Sequence, residues 1–351
     1  MLKKGLVMVL SIILITIIAG CGTFVGSGGT SNGSGSTADQ AKPTQLTKIK
    51  VSIPSASVET TDLYVAEKEG YFADAGLDVE QVTASSGPEL LASLTGGSVQ
   101  FANMGSTTLI QAVMKGMPLQ GVSVTSDGVP YYLTISSKWA KAKGITVNSS
   151  PEQVAAAMKG ARVGITQPGS STDILLRVFL GNYNVSVDKD LTELSVGDAN
   201  ACVAALANDR VDAFVMWAPA PQLAAAEDGA IAWNLNQVPE FSGMLFANYV
   251  TTQKYIQENP GVVQKFTNAL AKAAQFTLQH PDDAFNIVKQ TMPDIDPTQL
   301  KFGFDDHLAL MKDGITPSSQ AYEKALKVYE FVNKGPVNVT LEQAFYLNAT
   351  K

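Results

Sequence analysis

Between residues 48 and 125, short runs of apolar and β-branched residues take turns with stretches of helical periodicity, and after Gly144 the same alternation starts again. Residues 48–54 (KIKVSIP), 77–83, 99–103 and 119–125 read as strands. Residues 61–72 (ending at Gly70), 88–94 and 106–115 read as the helices between them. In the second round, strands are expected at 161–166, 191–196 and 211–215, with a short one near Ala230, and helices at 151–158, 170–180, 198–207 and 218–227. Strands separated by helices pair in parallel, and a parallel sheet needs helices on both faces. The expectation is an α/β protein of two lobes, each a mostly parallel sheet flanked by helices, with a ligand cleft between them.

Two extended segments, 132–136 and 235–245, are expected to carry the chain between lobes. Lobe 1 is then residues 46–134 plus 240–351, and lobe 2 is residues 135–239. After a further strand at 245–251 the chain is mostly helical, over 260–279, 282–291 and 318–333, while 299–312 is ambiguous. Two domains in series, with the late helices capping the second unit, is the alternative arrangement.

Ahead of this body, Lys3 and Lys4 precede an uncharged apolar run over residues 6–18, followed by the small residues Ala19 and Gly20. The run is shorter than the ~20 residues a membrane-spanning helix needs and has the order of a secretory signal, residues 1–20. Ile18-Ala19-Gly20-Cys21 resembles the lipobox of bacterial lipoproteins. That resemblance implies cleavage before Cys21 and a diacylglycerol on its thiol, hence a lipid-anchored protein on the extracytoplasmic side of the cell membrane. Residues 21–45, rich in Gly and Ser, read as a flexible tether reaching roughly 25 to 30 Å.

Composition narrows the chemistry. A net charge of −7 argues against a nucleic-acid partner. His280 and His307 are the only histidines and Cys21 and Cys202 the only cysteines, so most metal sites and catalytic triads lack their residues. No metal, cofactor or catalytic residue is expected, and the protein reads as a monomer. Cys202 sits in a helical pattern without a plausible His partner and reads as a small buried hydrophobe.

Four phrases, in order, carry a resemblance that covers nearly the whole body. They are Leu63-Tyr-Val-Ala-Glu-Lys-Glu-Gly-Tyr-Phe through Glu80; Gly97-Ser-Val-Gln-Phe-Ala-Asn-Met-Gly-Ser106 with Ala112-Val-Met-Lys-Gly116; Gly164-Ile-Thr-Gln-Pro-Gly-Ser170; and Asp209-Arg-Val-Asp-Ala-Phe-Val-Met-Trp-Ala-Pro219. They resemble the substrate-binding proteins of bacterial ABC importers, in the branch that handles nitrate, sulfonates, taurine and the thiamine pyrimidine precursor. The resemblance implies the two-lobed periplasmic-binding-protein fold, a small-molecule ligand held by hinge closure, and a permease with its ATPase as partners. Sulfonate or taurine leads, with nitrate and the pyrimidine as alternatives. A receptor-docking sensor lipoprotein is the reading from another class. A related pyrimidine-synthase family uses an active-site His with pyridoxal phosphate, and this chain departs from it because both histidines fall in the late helical region.

The candidate ligand contacts lie in strand-to-helix loops, where helix N-termini offer free N–H groups and a partial positive charge. The first loop offers Ser57, Glu59 and Thr60, the second Gly105, Ser106 and Thr107, and the third Gln167, Gly169, Ser170 and Ser171. Trp217 at a strand end and Tyr131 near the first crossing are candidate aromatic walls. Glu59 and Asp198 could meet a ligand amine. None of the three arginines, Arg162, Arg177 and Arg210, lies in these loops, so an anion would be held by N–H groups and hydroxyls.

Overall fold

The computed structural model describes residues 45–55, 57–124, 126–312 and 314–347. The expected signal segment, Cys21 and the tether up to residue 44 lie outside the described residues. The strands, in chain order, are β1 (Thr47–Pro54), β2 (Leu77–Ala84), β3 (Phe101–Gly105), β4 (Leu119–Val124), β5 (Tyr131–Ile135), β6 (Arg162–Ile165), β7 (Thr192–Ser195), β8 (Ala213–Trp217), β9 (Ile231–Asn234) and β10 (Ala247–Thr252). They form two five-stranded sheets, ordered β2-β1-β3-β10-β4 and β7-β6-β8-β5-β9. The inner strands β8 and β5 are buried along their whole length, as a sheet covered on both faces requires, whereas the edge strands β2 and β7 are largely half-exposed.

Each sheet holds one strand that runs against the rest. β10 is antiparallel to β3 and β4, and β5 is antiparallel to β8 and β9. These are the strands the chain enters on arriving from the other sheet. Arriving at the carboxyl ends of the resident strands, each can only run back away from them. Tyr131–Ile135 is therefore fully paired within the second sheet, and the first passage lies over residues 126–130, ahead of the expected 132–136. The physical reason is the run Tyr-Tyr-Leu-Thr-Ile, five buried side chains that gain more in the middle of a sheet than across a gap. The second passage is residues 235–246.

The helices of eight residues or more are α1 (Thr61–Lys68), α2 (Gly87–Thr95), α3 (Ser106–Met114), α4 (Ser171–Asn182), α5 (Ala199–Ala207), α6 (Ala220–Asp228), α7 (Pro260–Gln279), α8 (Pro281–Thr291), α9 (Pro297–Leu308) and α10 (Ser319–Asn333). The ambiguous stretch 299–312 is thus mostly helix α9. It packs on α6, and Gly303 lets it approach so closely that a Cβ there would lie 2.6 Å from the Ala218 Cβ. α10 packs on both α3 and α4. The two lobes are therefore bridged by helices from the carboxyl-terminal region as well as by the two passages. Cys202 on α5 is fully buried, and burial pushes its thiol up to about 12.

Candidate functional site

The carboxyl ends of β1, β3, β6 and β8 face one narrow cleft. Pro54 ends β1, Asn103, Met104 and Gly105 end β3, Thr166 follows β6, and Trp217 ends β8. Ser86 and Gly87 enter from the start of α2, Ser170, Ser171 and Thr172 from the start of α4, and Glu59 from a single 3-10 turn (Val58–Thr60) after β1. Tyr131, the first residue of β5, pairs with Trp217 in the sheet register, and their rings lie 5.6 Å apart as one aromatic wall.

The walls touch directly. Gln167 Nε2 donates to Ser86 Oγ at 2.6 Å, Thr107 Oγ1 and Ser171 Oγ share a hydrogen bond at 3.1 Å, and Trp217 Nε1 donates to the Ser55 carbonyl at 3.4 Å. Each joins a residue of the first sheet and its helices to one of the second, so the cleft is closed. Gly105 makes this approach possible: a Cβ there would sit 2.5 Å from Ser171 Oγ and 3.3 Å from the Phe246 ring.

Helix termini supply the donors. α4 is capped by Ser170, whose Oγ accepts from the Asp173 N–H at 3.4 Å and bonds Thr172 Oγ1 at 2.7 Å. Thr172 Oγ1 also accepts the Thr166 N–H at 3.0 Å, so the hydroxyls form one network. α3 differs, because Gly105 at its N-cap has no side chain and the helix carries no side-chain cap. Its partial positive end is directed at the cleft wall that Gly105 lines. Gly169 takes a left-handed φ of 79°, and its N–H donates to Asp173 Oδ2 at 2.7 Å. Arg177 braces this turn from behind, pairing with Asp173, with Asp188 at 2.7 Å and with Glu193 at 2.8 Å.

Glu59 is the only carboxyl among the described residues that line the cleft. It is 3% exposed, its Oε1 has no hydrogen-bond partner, and burial pushes the carboxyl up to about 8. Burial, then the proximity of Glu59, raises the Tyr131 hydroxyl well above its ordinary value. No Lys, Arg or His is among the residues that line the cleft. A cationic group entering here would meet an acid that desolvation alone holds in its neutral form, and would favour its ionisation.

Of the residues singled out in the sequence, Glu59, Gly105, Tyr131, Ser170, Ser171 and Trp217 line the cleft together. Thr107 and Gln167 hold its two walls against each other. Ser106 is turned into the fold, its hydroxyl donating to the Leu245 carbonyl at 2.5 Å. Ser57 and Thr60 stand behind Glu59: Ser57 Oγ accepts the Glu59 N–H at 3.1 Å, and Thr60 Oγ1 donates to the Ser57 carbonyl at 3.1 Å. Asp198 caps α5 through the Ala201 N–H at 2.9 Å and is not among the lining residues. Ser86, Gly87, Thr166 and Thr172 were not singled out. For Ser86 and Gly87, the phrase Ser86-Gly-Pro-Glu89 carries the signal that could have found them, a capping residue followed by a proline in the first turn of a helix directly after a strand.

Comparison with known proteins agrees with this fold. The model of the family described as NMT1/THI5 like matches residues 57–284. A Bacillus subtilis protein assigned as an aliphatic sulfonates-binding protein is 25% identical over 291 residues, 82% of this chain and 77% of that one. The taurine-binding periplasmic protein of Escherichia coli is 24% identical over 222 residues, 62% of this chain and 63% of that one. Among solved structures, the alkanesulfonate-binding protein SsuA of Xanthomonas axonopodis pv. citri bound to MOPS superposes with a TM-score of 0.64 at 20% identity, over 82% of this chain and 91% of that one. The shared fold is the two-lobed one.

Proposed function

The chain belongs to the NMT1/THI5-like family, and from that premise we propose that it is the solute-binding component of an ABC importer, anchored outside the cytoplasm by lipid on Cys21, whose cleft closes on a small zwitterion of the taurine type. One observation carries the reading: a closed cleft sets the buried carboxyl of Glu59, whose Oε1 has no hydrogen-bond partner, together with hydroxyls and a helix N-terminus that has no side-chain cap. A sulfonate has three acceptor oxygens and suits the hydroxyls at the start of α4 and the partial positive N-terminal end of α3. An ammonium suits Glu59. A plain anion such as nitrate would leave Glu59 to stay protonated, which favours the zwitterion over it.

The chemistry is recognition, not catalysis. Neither His280 nor His307 lines the cleft, so the histidine that the pyrimidine-synthase reading requires is not at this site. The mechanism is a hinge about residues 126–130 and 235–246, with ligand contacts from both lobes favouring the closed state by their differential affinity. A permease and its ATPase would receive the closed form.

Calorimetric titration of the protein with taurine and with ethanesulfonate, an equal sulfonate lacking the amine, tests the ligand class. Glu59→Ala is expected to weaken taurine at least tenfold while leaving ethanesulfonate within about twofold. Equal losses for both would sink the zwitterion assignment.

A further inference from the structure

Behind the cleft wall three buried polar side chains stand in line: Asp62 in the first turn of α1, Tyr249 on β10 and Asn103 on β3. Asn103 lines the cleft and is 1% exposed, yet neither Oδ1 nor Nδ2 has a hydrogen-bond partner. Tyr249 and Asn103 are directly opposed in the antiparallel β10–β3 register, which puts both side chains on one face of the sheet within reach of each other. Tyr249 Oη donates to Asp62 Oδ1 at 3.0 Å, and the same oxygen accepts the Leu63 N–H at 2.9 Å. Burial first, and then Asp62, raise the Tyr249 hydroxyl well above its ordinary value, while the adjacent Asn103 amide draws it down.

Resting on the zwitterion reading of the cleft, we infer that Asp62 and Tyr249 are positioning residues that orient the Asn103 amide, so that its Oδ1 faces the ligand and selects for a hydrogen-bond donor there. The argument is one of donor and acceptor capacity. An ionised carboxylate only accepts, so Tyr249 must spend its single O–H on Asp62. The Tyr249 oxygen then offers only lone pairs to its other neighbour. Asn103 Nδ2 makes no hydrogen bond in this arrangement, but it is the only corner of the amide that can approach those lone pairs favourably, which leaves the opposite corner, Oδ1, for the ligand. An ammonium, with three N–H donors, then meets two acceptors, the Glu59 carboxylate and Asn103 Oδ1. A ligand of the same shape with a methyl group in that place leaves a buried acceptor unpaired, which is the strong form of discrimination. Without the Tyr249 hydroxyl the amide is free to turn over, and the discrimination goes with it.

Tyr249→Phe removes one oxygen and keeps the ring, and Asp62→Leu removes the acceptor without altering the sheet, so either variant can carry the test if the other fails to fold. At pH 8, taurine and ethanesulfonate are titrated into the wild type and both variants. In parallel, the side-chain amide resonances of Asn103, assigned by their loss in Asn103→Leu, are followed by nitrogen-15 NMR. The expected result is a loss of at least tenfold in taurine affinity with ethanesulfonate within about twofold, accompanied by displaced and faster-exchanging Asn103 amide protons. Equal losses for the two ligands would mean a structural role only and would overturn the proposal. If the wild type binds neither sulfonate, the ligand reading falls, and the amide resonances alone then decide the relay: displaced in both variants they uphold it, unmoved in both they overturn it.

Discussion

Glu59 shows how one buried acid sets a measurable property of the unliganded protein. Its ordinary value is 4.5 and burial raises it to about 8, so between those values the unfolded chain has released a proton that the native fold retains. A state that binds more protons loses ground as pH rises, and the stability contributed by this group therefore falls through that window and levels off above about 8. Asp62, raised to about 7 by burial against the lowering pull of Tyr249 and the Leu63 N–H, acts in the same direction. His307 acts in the opposite sense. It is fully buried and its value drops to about 4, so its contribution is complete above 6.5 and is lost as pH falls below that. Glu193, pushed up to about 7 chiefly by burial, adds to the same fall, so above pH 6.5 these three acids set the slope. Without ligand, the melting temperature is expected to fall between pH 6.5 and 8. Glu59→Gln, neutral at every pH, should flatten that fall and melt a few degrees higher than wild type at pH 8. Scanning calorimetry at pH 6.5, 7.2 and 8 reads the difference, and an unchanged slope in Glu59→Gln would place the proton elsewhere.

Among the elements, the β3-to-α3 junction couples closure to a missing side chain. Gly105 has a φ of −66°, which any residue adopts, so its identity is fixed by the 2.5 Å approach to Ser171 rather than by its backbone. Gly105→Ala should leave the melting temperature of the unliganded protein within a few degrees of wild type and lower ligand affinity about tenfold. Ser171 must leave Thr107, or the lobes must stand apart. Shortening the opposing residue in Gly105→Ala, Ser171→Ala should recover part of the loss; no recovery would show that the obstruction is the Phe246 ring. This glycine was legible in the sequence because it ends a strand and opens a helix with hydroxyls. So were the alternation of strands and helices and the loops after β1, β3 and β6. What escaped the sequence was decided by distant partners. The stretch 299–312 looked ambiguous because Gly303 weakens its helical pattern, and the reason for that glycine, Ala218 just ahead of α6, lies some 85 residues away in sequence. The helix Ser137–Lys143 has a good cap in Ser136, which accepts the Trp139 N–H at 3.2 Å, yet too few turns for a periodic apolar face. Gly87 was passed over although a Cβ there would lie 2.9 Å from Thr108 Oγ1, a crowding that only the packing of α2 on α3 creates.

For the molecule as a whole, the contacts that join the lobes fall into two kinds. Trp217, Glu59, Ser170 and Ser86 face the cleft, whereas Gln167, which bonds Ser86 from the opposite wall, is not among the residues that line the ligand space. A closed-state contact made by a residue that does not itself meet the ligand shifts the open–closed equilibrium without reading the ligand. The apparent dissociation constant is the intrinsic one divided by the closed fraction, so losing such a contact weakens every ligand by a common factor. A hydrogen bond of this kind contributes about 1 kcal/mol net, which corresponds to about fivefold. Gln167→Ala is therefore expected to weaken taurine and any weaker-binding sulfonate by the same few-fold factor. It should also raise the radius of gyration of the unliganded protein in small-angle scattering, with the ligand-saturated value unchanged. Losses that differ between ligands would make Gln167 a ligand contact instead. The helices α9 and α10, which pack across both lobes, limit how far this shift can go: Phe331 on α10 is seated so closely on Gly181 of α4 that a Cβ there would lie 2.5 Å from the ring. Opening must slide that contact as well as break the hydrogen bond, so the closed arrangement is held from the rear of the molecule as well as across the cleft.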